Sequence, residues 1–195
     1  EIGVRLVGSE MCIRDRFKDG LISTFLNGMV KCTGYKPGAL EDRYGSDGVF
    51  LYDRLNKSDM EMLELAIRCH NMYRIPQGLN SREQAFCNVL RDADKVDIFK
   101  VNIDTPLEEI YNTTTEELMK SDITDEVLEA FDEEHCILKA IRRTPADTVI
   151  GHVSLAYELV YDESVRITVE QGYLAKLMHF HSDNEETNRK MAMVR

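Results

Sequence analysis

The chain has 195 residues and a formal net charge of −11, from 24 Lys and Arg residues against 35 Asp and Glu residues. So large an acidic excess argues against non-specific binding to nucleic acids or to anionic membranes, which both need basic surfaces. The sequence shows no apolar run of transmembrane length and no secretory-signal pattern. Its five cysteines have no C-x-x-C spacing, so we expect reduced thiols and a cytoplasmic protein.

Residues 1 to 16 resemble the translation of a transposase adapter used in DNA-sequencing libraries. Residues 6 to 15 are encoded by one reading frame of that adapter, CTC GTG GGC TCG GAG ATG TGT ATA AGA GAC. The other interpretation is a natural amphipathic N-terminus. A foreign segment has no part in the native fold. We therefore expect residues 17 to 195 to form the native domain and residues 1 to 16 to contribute nothing to its core.

Two helices are expected before residue 56. Residues 17 to 30 carry apolar side chains at helical spacing, and Pro37 between two glycines predicts a turn over residues 34 to 38. A short apolar segment then predicts a helix over residues 49 to 55.

The next helix carries a candidate functional histidine. Ser58 is expected to cap this helix, with Glu61 three residues on as in a capping box. His70 falls near its end on the apolar face that also carries Leu63 and Ile67, in line with Met60. A histidine there either packs in the core or serves as a ligand.

A connection with Pro76 and Gly78 leads to a helix that we expect Ser81 to cap, with Gln84 at the third helical position. It contains the run Arg91-Asp92-Ala93-Asp94-Lys95-Val96-Asp97. Two stripes are predicted: Asp92 with Ala85, Val89, Val96 and Phe99, and Asp97 with Phe86, Leu90 and Ala93. Carboxylates on apolar stripes are rarely buried without a partner. The other interpretation is a solvated helix edge, or a local pair of Asp92 with Arg91 or Lys95.

The helices of His70 and Asp92 are joined by about ten residues, and helices with so short a connection usually lie side by side. We therefore expect the two side chains to face each other. A His nitrogen and a carboxylate oxygen suit Mn²⁺, Fe²⁺, Zn²⁺ or a similar divalent ion such as Mg²⁺. The pair predicts half of a metal site.

The second half of the chain predicts a series of acidic helices. One begins at Pro106, one within residues 113 to 117, and Thr124 caps another over residues 126 to 137. Residues 132 to 135 carry three acids and a His, but consecutive helical positions point in different directions, so we expect a solvated face.

Arg142 and Arg143 either bind phosphate or pair with the acids before them, and we favour pairing. Thr144 and Pro145 begin a helix in which His152 is expected to pack beside an apolar stripe.

Residues 162 to 180 predict one helix, weakened by Gly172, and residues 183 to 195 a polar, frayed helix. His179 and His181 have no third ligand nearby and are not expected to hold a metal. Only the β-branched residues 165 to 169 favour a strand. The fold class we predict is all-α, a single irregular bundle of roughly seven to nine helices.

Residues 59 to 73 (DMEMLELAIRCHNMY) and 89 to 99 (VLRDADKVDIF) resemble the middle of an HD-domain protein. That superfamily consists of all-α, metal-dependent phosphohydrolases with a His, a His-Asp pair, often further His residues, and a closing Asp in an RDADKLD-like helix. Asp92 matches the closing Asp and His70 one of the later His residues. The resemblance implies that Asp92 binds metal and that His70 binds a second metal or phosphate. It also implies that Lys95, Asp97 and Tyr44 lie around the metal or near the substrate.

Two departures from the family pattern stand in this sequence. It has no His-Asp dipeptide, and Tyr44 stands where many relatives carry a His ahead of a Gly-Val pair. A fragment cut before Phe17 would have lost the missing ligands. We expect the intact protein to hydrolyse a small phosphorylated substrate such as a nucleotide, and this chain to have little activity. The alternative is a degenerate HD-like domain that binds a ligand or partner without turnover, which the Tyr44 substitution favours.

Overall fold

The computed structural model describes residues 56 to 195, except the side chain of Met60. The expectations for residues 1 to 16, 17 to 30, 34 to 38 and 49 to 55, and for Tyr44, lie outside the described residues. Residues 56 to 195 form nine α-helices and no strand, which confirms the all-α prediction for this part of the chain. The helices are α1 (Lys57–Cys69), α2 (Ser81–Asp104), α3 (Leu107–Tyr111), α4 (Thr115–Lys120), α5 (Asp125–Asp132), α6 (Pro145–Val153), α7 (Asp162–Gln171), α8 (Tyr173–Met178) and α9 (Glu185–Val194). None of these helices is long and apolar enough to cross a membrane.

The chain divides into two compact units, residues 1 to 93 and residues 94 to 195, with the boundary inside α2. The described part of the first unit contains α1, the connection and the first half of α2. Its buried cluster consists of Ala66, Cys69, Cys87 and Leu90. The apolar side of α1 is thus buried together with one side of α2.

Both helices of the first unit are capped by a residue that lies one or two positions before the predicted cap. The Asn56 side chain caps α1 by accepting from the Asp59 N–H at 3.0 Å, so Ser58 is not the cap. Asn80 caps α2 through bonds of 3.0 Å from the N–H groups of Arg82 and Glu83. Asparagine is as good an N-cap as serine, and here it stands earlier in the chain.

The second unit is built around α6. Six of its nine residues are buried: Ala146, Asp147, Val149, Ile150, Gly151 and Val153. As predicted, α6 begins after Thr144, which forms a reciprocal capping box with Asp147. Helices α4, α5 and α8 all contact α6. An apolar helix buried on most sides is the centre of a small bundle.

Two of the predicted helices are shorter than expected. Helix α5 ends at Asp132, not at residue 137, because Glu134 takes a left-handed backbone (φ 57°) and the Ile137 N–H donates to the Ser154 hydroxyl at 3.0 Å. The helix predicted over residues 162 to 180 is two helices, since Gly172 adopts φ 68° between them. Residues 165 to 169 are helical.

The C-terminal helix is not frayed, which corrects the sequence prediction. Met191 and Thr187 have 0% exposure, and the Lys190 ammonium lies 3.0 Å from the Asp125 carboxylate. Asn184 caps the helix by accepting from the N–H of Glu186 at 2.9 Å. Helix α9 therefore closes the core of the second unit.

Two methionines on α9 test this packing as a matched pair. Met191→Ala removes a fully buried side chain, and we expect the free energy of unfolding to fall by about 2–5 kcal/mol. Met193 is 73% exposed, so Met193→Ala should change it by less than about 0.5 kcal/mol. Urea denaturation followed by circular dichroism measures both. Equal effects of the two substitutions would contradict the burial of α9.

Candidate functional site

Four charged residues of the α2 run are buried, although charged side chains usually lie at the surface. Arg91, Asp92, Asp94 and Lys95 are between 1% and 5% exposed, and each has a polar or electrostatic partner. The four formal charges, two negative and two positive, sum to zero. The solvated-edge interpretation of Asp92 is therefore wrong, while a local pair with Arg91 or Lys95 stays open.

The predicted stripes on α2 are only partly right. Asp92 and Phe99 are buried as expected, but Ala85 is exposed and Val89 is 43% exposed. The first half of α2 is instead buried through Cys87 and Leu90, which lie in the cluster with α1. Small apolar residues occur on both sides of this half of the helix, so periodicity alone could not select the buried side.

His70 lies at the end of α1 and is 7% exposed. Its Nδ1 is 2.5 Å from the Ile67 carbonyl oxygen. A carbonyl only accepts, so Nδ1 carries a proton, and in the neutral ring Nε2 then carries the lone pair. Nε2 is buried, and no group in the described part of the chain hydrogen-bonds to it.

Arg91 ties the end of α1 to α2. Its guanidinium Nη1 donates to the carbonyl oxygen of Cys69 at 3.1 Å and to that of Met72. These bonds satisfy backbone acceptors that the end of a helix leaves open. The backbone on both sides of His70 is thus held against the residue that precedes Asp92. This role of Arg91 was not predicted from the sequence. The only signal for it was its position next to the candidate ligand Asp92.

His70 and Asp92 both belong to the first unit, and neither lies at the surface. That they face each other and share a metal stays a prediction. On the same helix, Lys95 is buried and Asp97 is half-buried. Tyr44 lies outside the described residues. Within residues 56 to 195, no three His, Cys, Asp or Glu side chains form a group that could hold a metal ion, so a metal here would need further ligands.

The second unit contains a separate polar cluster of Asn102, Tyr111 and His152. The Asn102 side-chain oxygen accepts from the Tyr111 hydroxyl at 2.7 Å and from His152 Nδ1 at 2.8 Å. Burial, together with the nearby charges of Arg142 and Lys139, lowers the pKa of His152 to about 3. The prediction that His152 packs is confirmed. The Asn102 amide that orients its ring was not predicted from the sequence.

Arg142 and Arg143 play different roles. Arg143 pairs with Glu126 at 2.6 Å, as predicted. Arg142 instead donates to the carbonyl oxygens of Ile137 at 2.5 Å and Gly151 at 3.4 Å, and burial lowers its pKa. Arg142 also lies so close to Gly151 that a Cβ at that position would overlap its guanidinium.

The other three described histidines lie at exposed or half-buried positions. Glu133 and Glu134 are exposed, as expected of a solvated segment, and His135 pairs with Glu133 at 2.9 Å. His179 and His181 are both exposed.

Comparisons of the chain with protein-family models, curated proteins and solved structures find no match. The likeness to HD-domain proteins therefore stands on the two quoted segments, and the activity it implies is a proposal. The observation that bears on it most directly is the orientation of His70.

The depressed pKa of His152 predicts a loss of stability in acid. Above the unfolded pKa of 6.5 both states are neutral, whereas between pH 6.5 and about 3 the unfolded chain binds a proton that the folded chain does not. The His152 contribution to the free energy of unfolding should therefore be complete above pH 6.5 and decline as the pH falls to about 3. Urea denaturation at a series of pH values measures the slope.

His152→Gln should flatten that slope between pH 6.5 and 3, and His181→Gln, at an exposed position, should leave it unchanged. An NMR titration of the wild type should show His152 still neutral at about pH 5. A His152 ring that protonates near pH 6.5 would contradict the burial argument.

Proposed function

We propose that the intact protein is a metal-dependent phosphohydrolase of the HD type, folded as an irregular helical bundle, and that His70 and Asp92 are two of its metal ligands. The observation that carries the proposal is the lone-pair nitrogen of His70, which is buried without a hydrogen-bond partner among residues 56 to 195. A buried polar atom in this state lowers stability unless something binds it. A metal ion is a common partner for such a nitrogen.

The chemistry of the residues fits a divalent ion. Metal-binding histidines usually donate their other ring N–H to a carbonyl or carboxylate, and His70 donates Nδ1–H to Ile67. Asp92 adds a buried carboxylate, 1% exposed, on the neighbouring helix. An imidazole nitrogen with a carboxylate oxygen suits Mn²⁺, Fe²⁺ or Zn²⁺.

Each residue has a defined task in this proposal. When bound, a divalent ion would supply an activated water and stabilise negative charge on the phosphate ester. His70, held by Ile67, would present a fixed nitrogen, and Asp92 would supply a buried carboxylate oxygen. Lys95 and Asp97 are assigned to the surroundings of the metal or substrate, where a buried lysine attracts phosphate oxygens.

Two ligands leave most coordination positions to water. The remaining ligands would have to come from outside residues 56 to 195, since these residues hold no three-ligand group. We therefore assign this chain weak metal affinity. The second candidate function, a degenerate domain that binds a ligand or partner without turnover, is favoured by Tyr44, which stands where many relatives carry a His.

Metal binding can be tested on the 195-residue chain itself, by NMR with ¹⁵N-labelled protein and Mn²⁺. A paramagnetic ion broadens nearby amide signals, so we expect residues around His70 and Asp92 to broaden first. His70→Ala should abolish this selective broadening, and the chelator EDTA should reverse it. His181→Ala is the control, because His181 is exposed and away from the proposed ligands in sequence.

The result against the proposal would be broadening confined to exposed acidic segments such as residues 132 to 134, with no selectivity near His70. Circular dichroism of His70→Ala separates lost metal binding from lost folding. If the variant unfolds, the wild-type broadening pattern alone decides.

The activity prediction concerns turnover. This chain should hydrolyse a general phosphoester poorly or not at all, even with Mn²⁺, because water occupies the missing ligand positions. Restoring the natural sequence before Phe17 should bring tight metal binding and hydrolysis. In that longer protein, Asp92→Asn should lower kcat/KM by at least about a hundred-fold, because an amide is an uncharged and poorer ligand.

Asp132→Asn, at an exposed position, is the matched control and should retain full activity. Full turnover by the 195-residue chain, or an Asp92→Asn variant as active as the control, would contradict the assignment of the site.

A further inference from the structure

Two cysteines of the first unit lie together in its buried cluster. Cys69 is the last residue of α1 and Cys87 lies in the second turn of α2. They are 1% and 0% exposed, and both belong to the cluster with Ala66 and Leu90. The nearby Cys69 thiol also contributes to the raised pKa of the Cys87 thiol. The two thiols, on different helices, are therefore neighbours in one small buried cluster.

From this arrangement we propose that Cys69 and Cys87 form an oxidation site, at which a peroxide converts the two thiols into a disulfide that links α1 to α2. The pair is a dithiol in the reduced protein, since both cysteines are free.

The reaction balances with hydrogen peroxide as the only co-reactant. One sulfur attacks the peroxide, the O–O bond breaks, and a sulfenic acid and one water form. The second thiol sulfur then attacks the sulfenic sulfur, the S–S bond forms, and a second water leaves. Two thiols and one peroxide thus give one disulfide and two waters.

The local environment keeps the reaction slow and selective. Burial and the adjacent Cys69 raise the pKa of the Cys87 thiol to about 11, so little thiolate is present at neutral pH. A small peroxide reaches the pair when the helices open locally. Once one sulfur is oxidised, the other cysteine of the same buried cluster is the nearest described thiol, and proximity decides the partner.

The third described cysteine serves as a built-in comparison. Cys136 belongs to the second unit, is half-buried, and its sulfur lies 3.8 Å from the carbonyl oxygen of Ile137. It has no described thiol partner, so it should not compete for the pair. In the chain Cys69 directly precedes His70, so the disulfide would fix the end of α1 that carries a proposed metal ligand. That consequence rests on the proposed function, whereas the disulfide itself does not.

Peptide mapping of the full chain tests the proposal directly. The folded protein is treated with hydrogen peroxide, its remaining thiols are alkylated in urea, and it is digested with trypsin without reductant. Cleavage after Arg68, Arg74, Arg82 and Arg91 places Cys69 in residues 69 to 74 and Cys87 in residues 83 to 91. We expect these two peptides to appear linked, with the loss of two hydrogen atoms, and to separate on treatment with dithiothreitol.

The controls distinguish a fold-directed disulfide from random oxidation. Cys136→Ala should leave the linked peptide unchanged, and Cys87→Ala should abolish it. Chain oxidised in urea should give mixed pairings that include the other three cysteines. Recovery of Cys69 and Cys87 as alkylated thiols, or of either linked to another cysteine in the folded protein, would overturn the proposal. Because the wild-type map decides, a Cys87→Ala variant that fails to fold leaves the test intact.

Discussion

A buried charge is stable only when hydrogen bonds replace the water it has lost, and this chain places such charges at the ends of its helices. Asp147 is the clearest case, with 0% exposure. Its carboxylate accepts from the backbone N–H groups of Thr124, Arg143 and Thr144 at 2.7, 2.8 and 3.0 Å. One side chain therefore joins the start of α5 to the start of α6. Helices of eight or nine residues are not stable alone, so their orientation depends on ties of this kind.

The same constraint operates in the first unit with the opposite sign. Arg91 supplies donors to the carbonyl end of α1, as Asp147 supplies acceptors to the amino ends of α5 and α6. Because Arg91 is held by two backbone carbonyls, we assign it to the position of the helix and not to a substrate. Asp92 then stays as the acidic candidate, next in sequence to the residue that binds the backbone on both sides of His70.

The sequence located the helices better than it located their ends and their buried sides. The start signals within residues 113 to 117 and at Thr144-Pro145 located α4 and α6, because such signals are local. The end of α5 could not be found in this way, since it depends on a bond from Ile137 to Ser154, 17 residues away. The burial of α9 was missed for a related reason. Its composition is polar, and a lysine is normally expected at the surface. Lys190 is buried nevertheless, because its ammonium donates to the backbone oxygen of Ile123.

The candidate site shows the same division between local and distant information. The motif around Asp92 was recognisable from the sequence. The burial of four charged residues in this motif was not, because neighbouring charges on a helix are usually solvated. His70 and His152 show what the structure adds. Each has its Nδ1 held by an oxygen acceptor, the Ile67 carbonyl in one case and the Asn102 amide in the other. Among the described residues, only the Nε2 of His70 is a buried histidine nitrogen without a hydrogen-bond partner. Both histidines have Nδ1 bound to an oxygen, but only His70 has a buried Nε2 that a metal ion could bind.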